Sequence, residues 1–158
     1  MNGDSGAKEV VERWYIALAA GDMDSVIAAF HPEVTASVVG TTPLSGRFSG
    51  RDDFVAATIG VLFDALDPEH VRFAQNWSIF SVDGPRVVGL MSGDAVAKNG
   101  EPYNSVYCQL FTIGGGQIVE YLEFVDTVRV EAAICDNLLS RPAELRRNPM
   151  TIADIASR

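Results

Sequence analysis

The second half of the chain is rich in β-formers and cut by short turns, the pattern of paired strands. β-rich runs near residues 70–82, 86–98, 102–114 and 117–127 are separated by Asp83-Gly84, Asn99-Gly100 and Gly114-Gly115-Gly116. Such pairs accept the positive φ angles of tight hairpins. Strands joined this closely leave no room for crossover helices, so they form an antiparallel meander.

The first half has a different period. Val10, Val11, Trp14 and Leu18 recur at helical spacing, predicting a helix over 5–20 closed by Gly21. Asp22 is placed to cap a short second helix with Val26, Ile27 and Phe30 as its apolar stripe, ended by His31-Pro32. A strand is expected at 33–39, a loop through TTPLSGRFSG, and a third helix over 51–66 with Phe54, Ala57, Val61, Leu62 and Ala65 on its apolar side. Helices first and strands afterwards define an α+β fold. The segment VRVEAAICDNLLS returns to helix until Pro142, so residues 1–135 read as one domain and 136–158 as a helix end and tail. That tail either docks on the body or a partner subunit, or frays.

At 158 residues with 47% hydrophobic content, the chain can enclose both a core and a pocket. Its net charge of −9 disfavours nucleic acid and anionic membrane as partners. The polar start MNGDSGAKEVVERW lacks the apolar core of a signal peptide, and no apolar run reaches the ~20 residues of a membrane span, which makes a cytoplasmic location the expectation. Cys108 and Cys135 read as free thiols, and two distant histidines, His31 and His70, offer no metal cluster. His31 is placed to cap the second helix and His70 to sit in a solvated loop. No nucleotide fingerprint or Ser-His-Asp constellation is present, so no cofactor is expected.

Chemistry concentrates in GQIVEYLEFVDT, residues 116–127. As a strand it sends Ile118, Glu120, Leu122, Phe124 and Asp126 to one face and Val119, Tyr121, Glu123 and Val125 to the other. Each face therefore carries carboxylates among apolar neighbours. Asp126 is a cap for the helix that follows Thr127, a dimer contact or a pocket acid. In GEPYNSVYCQ, an inward Cys108 brings Asn104 with it, whereas a slip of one residue turns Tyr103 and Tyr107 inside instead.

The passages VVERWYIALAAGDMDSVIAAFHPEV, SGRFSGRDDFVA and NGEPYNSVYCQLFTIGGGQIVEYLEFVDT together resemble the SnoaL-like branch of the NTF2-like superfamily, over residues 8–135. The resemblance implies a cone-shaped, cystatin-like fold: a curved antiparallel sheet wrapped around three N-terminal helices, with an apolar pocket on the concave side. It also implies homodimerisation through the outer sheet face. Ketosteroid isomerase, a relative, works with an aspartate base and an oxyanion hole of a tyrosine and a protonated aspartic acid. Aligned without gaps through about the first fifty residues, the base and tyrosine positions fall on Val38 and Trp14, and the aspartic acid position falls on Cys108, so that chemistry is not expected here.

The same alignment makes Glu123 the inward acid and candidate proton carrier, and EFVDT follows the SnoaL-like pattern of an acid ahead of an aromatic residue, an aspartate and a threonine. Asn104 and Asp126 are further catalytic candidates. Trp14, Val38, Phe54, Tyr103, Tyr107, Cys108, Leu110, Tyr121 and Val125 are candidates for the pocket wall. The expected function is cofactor-free acid/base chemistry (isomerisation, dehydration, cyclisation or epoxide opening) on an apolar oxygenated small molecule. A non-catalytic hydrophobic binder and a dimerisation module with a collapsed cavity stand as alternatives.

Overall fold

The computed structural model describes residues 3–137, 140 and 150–156. Helix α1 (Gly3–Ala20) buries Val10, Val11, Trp14, Tyr15 and Leu18, and ends at Gly21 with φ +72°. In α2 (Met23–Ala28) the Asp22 carboxylate accepts the Ser25 amide at 3.1 Å, the expected cap. β1 (Phe30–Val39) starts at once. His31 therefore lies in a strand rather than capping the helix, and its Nδ1 accepts the Glu33 amide at 3.1 Å.

The stretch expected to be loop contains a short strand, β2 (Gly46–Ser49), paired antiparallel to β1. The third helix is continuous but irregular: α3 (Arg51–Phe54) passes through a π-helical turn (Val55–Ile59) into α4 (Gly60–Ala65). Within that turn the Thr58 hydroxyl donates to the Phe54 carbonyl at 2.6 Å. β3 (Leu66–Asp83), β4 (Arg86–Ala97), β5 (Pro102–Gly114) and β6 (Gln117–Phe124) form the meander. The chain closes with α5 (Thr127–Arg129), a second π-helical turn (Val130–Ile134) and α6 (Ile152–Ala156). The interruption expected at Pro142 lies outside the described residues.

The α+β class is the expected one, with helices followed by an open, curved six-stranded sheet in the order β2-β1-β6-β5-β4-β3. One pair departs from the antiparallel pattern, because β1 runs parallel to β6. The long β3 slips register against β4 between Leu66 and Val71, Phe73 and Trp77, and Ile79 and Ser81, with Ala74 at φ +53° in the middle slip. Extra residues on one strand bend it and raise its local twist, which curls this end of the sheet over the helices.

Helix α1 lies across β3, β4 and β5 on the concave side. Two glycines in β4 let aromatic rings approach the sheet there. A Cβ on Gly89 would collide with the Tyr15 hydroxyl and come within 2.9 Å of Tyr15 Cζ. A Cβ on Gly93 would meet Tyr107 Cε2 at 2.8 Å and Phe73 Cε1 at 2.9 Å. Gly89→Ala is expected to lower stability by about 1–3 kcal/mol in chemical denaturation, and Tyr15→Phe, which removes the clashing oxygen, to recover part of it.

Candidate functional site

Between the sheet's concave face and the helices lies a cavity of about 80 Å³. On a scale where one water needs roughly 10–15 Å³, this admits a small organic molecule but not a long one. Its wall is drawn from every layer of the fold: Trp14 and Leu18 from α1, Val38 from β1, Phe54 and Thr58 from the third helix, Tyr103 and Tyr107 from β5, and Tyr121 and Glu123 from β6, with Val125 just beyond that strand. The aromatic rings interlock, Tyr121 standing 5.4 Å from Phe30, 5.7 Å from Phe54 and 5.4 Å from Phe111. Glu123 is the one carboxylate among the described residues of the wall, and no lysine, arginine or histidine joins it.

Strand register settles which side chains of 102–110 face the cavity. Tyr103, Ser105, Tyr107, Gln109 and Phe111 are buried on the concave side, so the slipped register is the observed one. Asn104, Cys108 and Leu110 are corrected to the outer face and do not line the cavity. The pairing shows why: Gln109, not Cys108, stands opposite Glu123, and Cys108 stands opposite Leu90 and Phe124. A slip of one residue exchanges the two faces of a strand, and β3 alone shifts register at three places. Asp126 also lies outside the cavity wall, where its carboxylate caps α5 by accepting the Val128 and Arg129 amides at 3.0 and 3.3 Å. Trp77 stacks on Tyr15 with centroids 5.3 Å apart.

The residues that sequence reasoning missed are Tyr15 and Gln109. Gln109 is 0% exposed, and both ends of its amide are used. Its Oε1 accepts the Tyr15 hydroxyl at 2.7 Å, and its Nε2 donates to Glu123 Oε2 at 2.9 Å. The Tyr121 hydroxyl donates to the same Glu123 oxygen at 2.6 Å. The available signal was a polar side chain on the apolar parity of β5, since Gln109 alternates with Tyr103, Tyr107 and Phe111; a buried amide of this kind is retained only with partners.

Burial pushes the Glu123 carboxyl above the ordinary glutamate value of 4.5, and the hydrogen bonds from Tyr121 and Gln109 offset only part of that rise. The residue keeps some accessible surface because it borders the cavity, while protein surrounds its carboxyl. Burial, with the Glu123 charge adding to it, likewise raises Tyr15, Tyr103, Tyr107 and Tyr121 far above the usual phenol range, so all four stay neutral. Trp14 Nε1 and the Tyr107 hydroxyl are buried with no hydrogen-bond partner among the described residues. No group of metal-ligating side chains occurs among the described residues. What remains is a single acid of raised pKa in an apolar chamber, an arrangement suited to moving one proton.

The sequence pattern of the SnoaL-like domain matches residues 11–121, and the chain belongs to that family. No curated protein matches it. Among solved structures it is similar to an NTF2-like protein of unknown function from Burkholderia pseudomallei, at 22% identity and TM-score 0.65, covering 82% of this chain and 97% of that one. A candidate isomerase from Bacillus subtilis aligns at 18% identity and TM-score 0.68 over 87% and 98% of the two chains. A candidate SnoaL-like polyketide cyclase from Jannaschia sp. aligns at 20% identity and TM-score 0.66 over 85% and 94%. At these identities the likeness establishes the fold.

The raised pKa makes a thermodynamic prediction. The folded protein holds the Glu123 proton more tightly than the unfolded chain, so the stability from this site is complete below pH 4.5 and is lost as pH rises through the folded value. Glu123→Gln is permanently neutral and escapes that loss. Urea denaturation from about pH 4 to 9 is expected to show the variant's stability relative to wild type growing as pH rises.

Proposed function

We propose that this SnoaL-like protein is a cofactor-free acid/base enzyme that moves a proton on a small, apolar, oxygen-bearing substrate, with Glu123 as the proton carrier. The observation that carries this reading is the Glu123 carboxyl, the one carboxyl on the described wall, held in an apolar chamber with its pKa raised and no cationic side chain among the described lining residues. Such a carboxyl lies nearer to neutral pH than a solvated one, which is the range where a general acid or base works best. The absence of a cationic side chain on the described wall also favours a neutral substrate over a carboxylate or phosphate. Trp14 Nε1 and the Tyr107 hydroxyl are the unused donors for a substrate oxygen; both are covered, so engaging them takes a side-chain movement on binding.

Isomerisation, cyclisation, dehydration and epoxide opening all need proton transfer of this kind. Structures similar to this chain include candidate polyketide cyclases and a candidate isomerase, which supports the same class of chemistry. The test is a panel of one-ring enones, lactones and epoxides followed by NMR in deuterated buffer. Turnover or proton exchange is expected in wild type and should fall by about 100-fold or more in Glu123→Gln, with binding retained. Equal binding without exchange in either protein would replace the enzyme by a carrier of the same ligand.

The functional unit is proposed to be a homodimer formed through the outer sheet face. Leu110 and Phe124 are 36% and 45% exposed there, beside Leu122 and Cys108 in register, an apolar area on an otherwise charged chain. Phe124→Glu is expected to convert a dimer to monomer in analytical ultracentrifugation without unfolding it, since the ring is exposed and outside the buried core. A wild-type monomer at micromolar concentration would overturn the assignment.

A further inference from the structure

Three hydrogen bonds link α1, β5 and β6 in one line: Tyr15 hydroxyl to Gln109 Oε1, Gln109 Nε2 to Glu123 Oε2, and Tyr121 hydroxyl to Glu123 Oε2. Both donors reaching the carboxylate fall on the same oxygen. No hydrogen bond among the described residues reaches Glu123 Oε1, although the residue borders the cavity. The amide of Gln109 can be turned over in principle, and its two ends differ in what they ask of Glu123: Nε2 requires an acceptor, Oε1 a donor. The Tyr15 phenol, stacked on Trp77 and seated over the missing side chain of Gly89, donates to Oε1 and holds that end of the amide in place; an ionised Glu123, which only accepts, takes the Nε2 end.

We propose that Gln109 and Tyr15 are positioning residues that hold Glu123 Oε2 as an acceptor and thereby make Oε1 the atom that exchanges a proton with the bound substrate. In that step a substrate C–H or O–H bond breaks, its electron pair stays on the substrate, and the proton bonds to Oε1. The return step delivers the proton from Oε1 to the new site, so no electrons or co-reactants are consumed. The inference rests on the proton-carrying role proposed above. It adds an asymmetry between the carboxyl oxygens and assigns roles to two residues outside the cavity wall.

Among the described residues, the titratable groups facing Glu123 are few: Tyr15 from α1, Tyr103 and Tyr107 from β5, and Tyr121 from β6. From β1 comes Val38, from β4 Met91, from the third helix Phe54 and Thr58, and from the last π-helical turn Val130, none of them ionisable. With every phenol neutral, a change in Glu123 titration reports on its hydrogen bonds and burial alone.

The experiment follows the Glu123 carboxyl resonance by carbon-13 NMR through a pH titration in wild type, Gln109→Leu, Tyr15→Phe and Phe111→Leu. Losing the Nε2 donor destabilises the carboxylate, so Gln109→Leu is expected to bind the proton about tenfold more tightly. Tyr15→Phe should shift the midpoint in the same direction by a smaller amount, because the Nε2 donor remains but the amide loses the partner that holds its other end. Phe111 packs on both Tyr15 and Tyr121 without joining the hydrogen bonds, and Phe111→Leu should leave the midpoint in place. An unchanged midpoint in Gln109→Leu, or an equal shift in Phe111→Leu, overturns the proposal; should Gln109→Leu not fold, an unchanged midpoint in Tyr15→Phe does so. The titration needs no substrate, so a protein that shows these shifts but exchanges no substrate proton would lose the enzymatic reading while keeping the positioning of Glu123 Oε2 by Gln109 and Tyr15.

Discussion

A buried carboxyl without a cation partner can persist only if the fold supplies donors for it or lets it stay protonated. Here the fold does part of each. Tyr121 and Gln109 give Glu123 two hydrogen bonds, too few to cancel the cost of burial, so the group rests above its ordinary pKa. The surrounding architecture follows from holding those donors still. Gln109 needs its second end satisfied, which brings in Tyr15 from α1; Tyr15 needs room against the sheet, which requires Gly89 directly opposite Gln109 in β4. Helix, sheet and acid are thereby coupled through polar contacts inside an otherwise aromatic core.

This coupling also explains why apolar packing alone would be a poor scaffold for the site. Trp14, Phe30, Phe54, Phe111 and Tyr121 meet edge to face or tilted, a geometry that fills space but tolerates small rotations. Hydrogen bonds of 2.6–2.9 Å at Glu123 do not tolerate them. The aromatic cluster excludes water, and the polar line running through it fixes direction.

Much of the fold was legible because it is written in local patterns. The helical spacing of Val10, Trp14 and Leu18, the cap at Asp22, and the glycine-bearing turns each act within a few residues, and each produced the element they announce. The strand β2 was hidden because GRFS is too short to show a period and pairs only once β1 is in place. The register of β5 was hidden for a different reason. Parity within a strand is visible in sequence, but which parity faces the helices depends on the rest of the sheet; Tyr103 and Tyr107 are buried there rather than Asn104 and Cys108, and Tyr107 has the notch at Gly93 to occupy. In β6 the inward set was recognisable, since Tyr121, Glu123 and Val125 do share the cavity side.

The position of Gln109 shows how far a residue-by-residue comparison with a relative can mislead when chemistry is displaced by one step. The alignment put a thiol where the relative has a proton donor, suggesting an emptied site. One residue along the same strand, the structure has an amide reaching the acid from the concave side, while the thiol faces outward beside Leu90 and Phe124. Both descriptions name the same strand, yet they imply opposite conclusions about whether polar function survives there. For folds built on a strongly curved sheet, the informative question is therefore which buried polar residue shares parity with the aromatic wall. Here that question leads from Gln109 to Tyr15 and Glu123, two residues nearly at opposite ends of the domain that hydrogen-bond to the same amide.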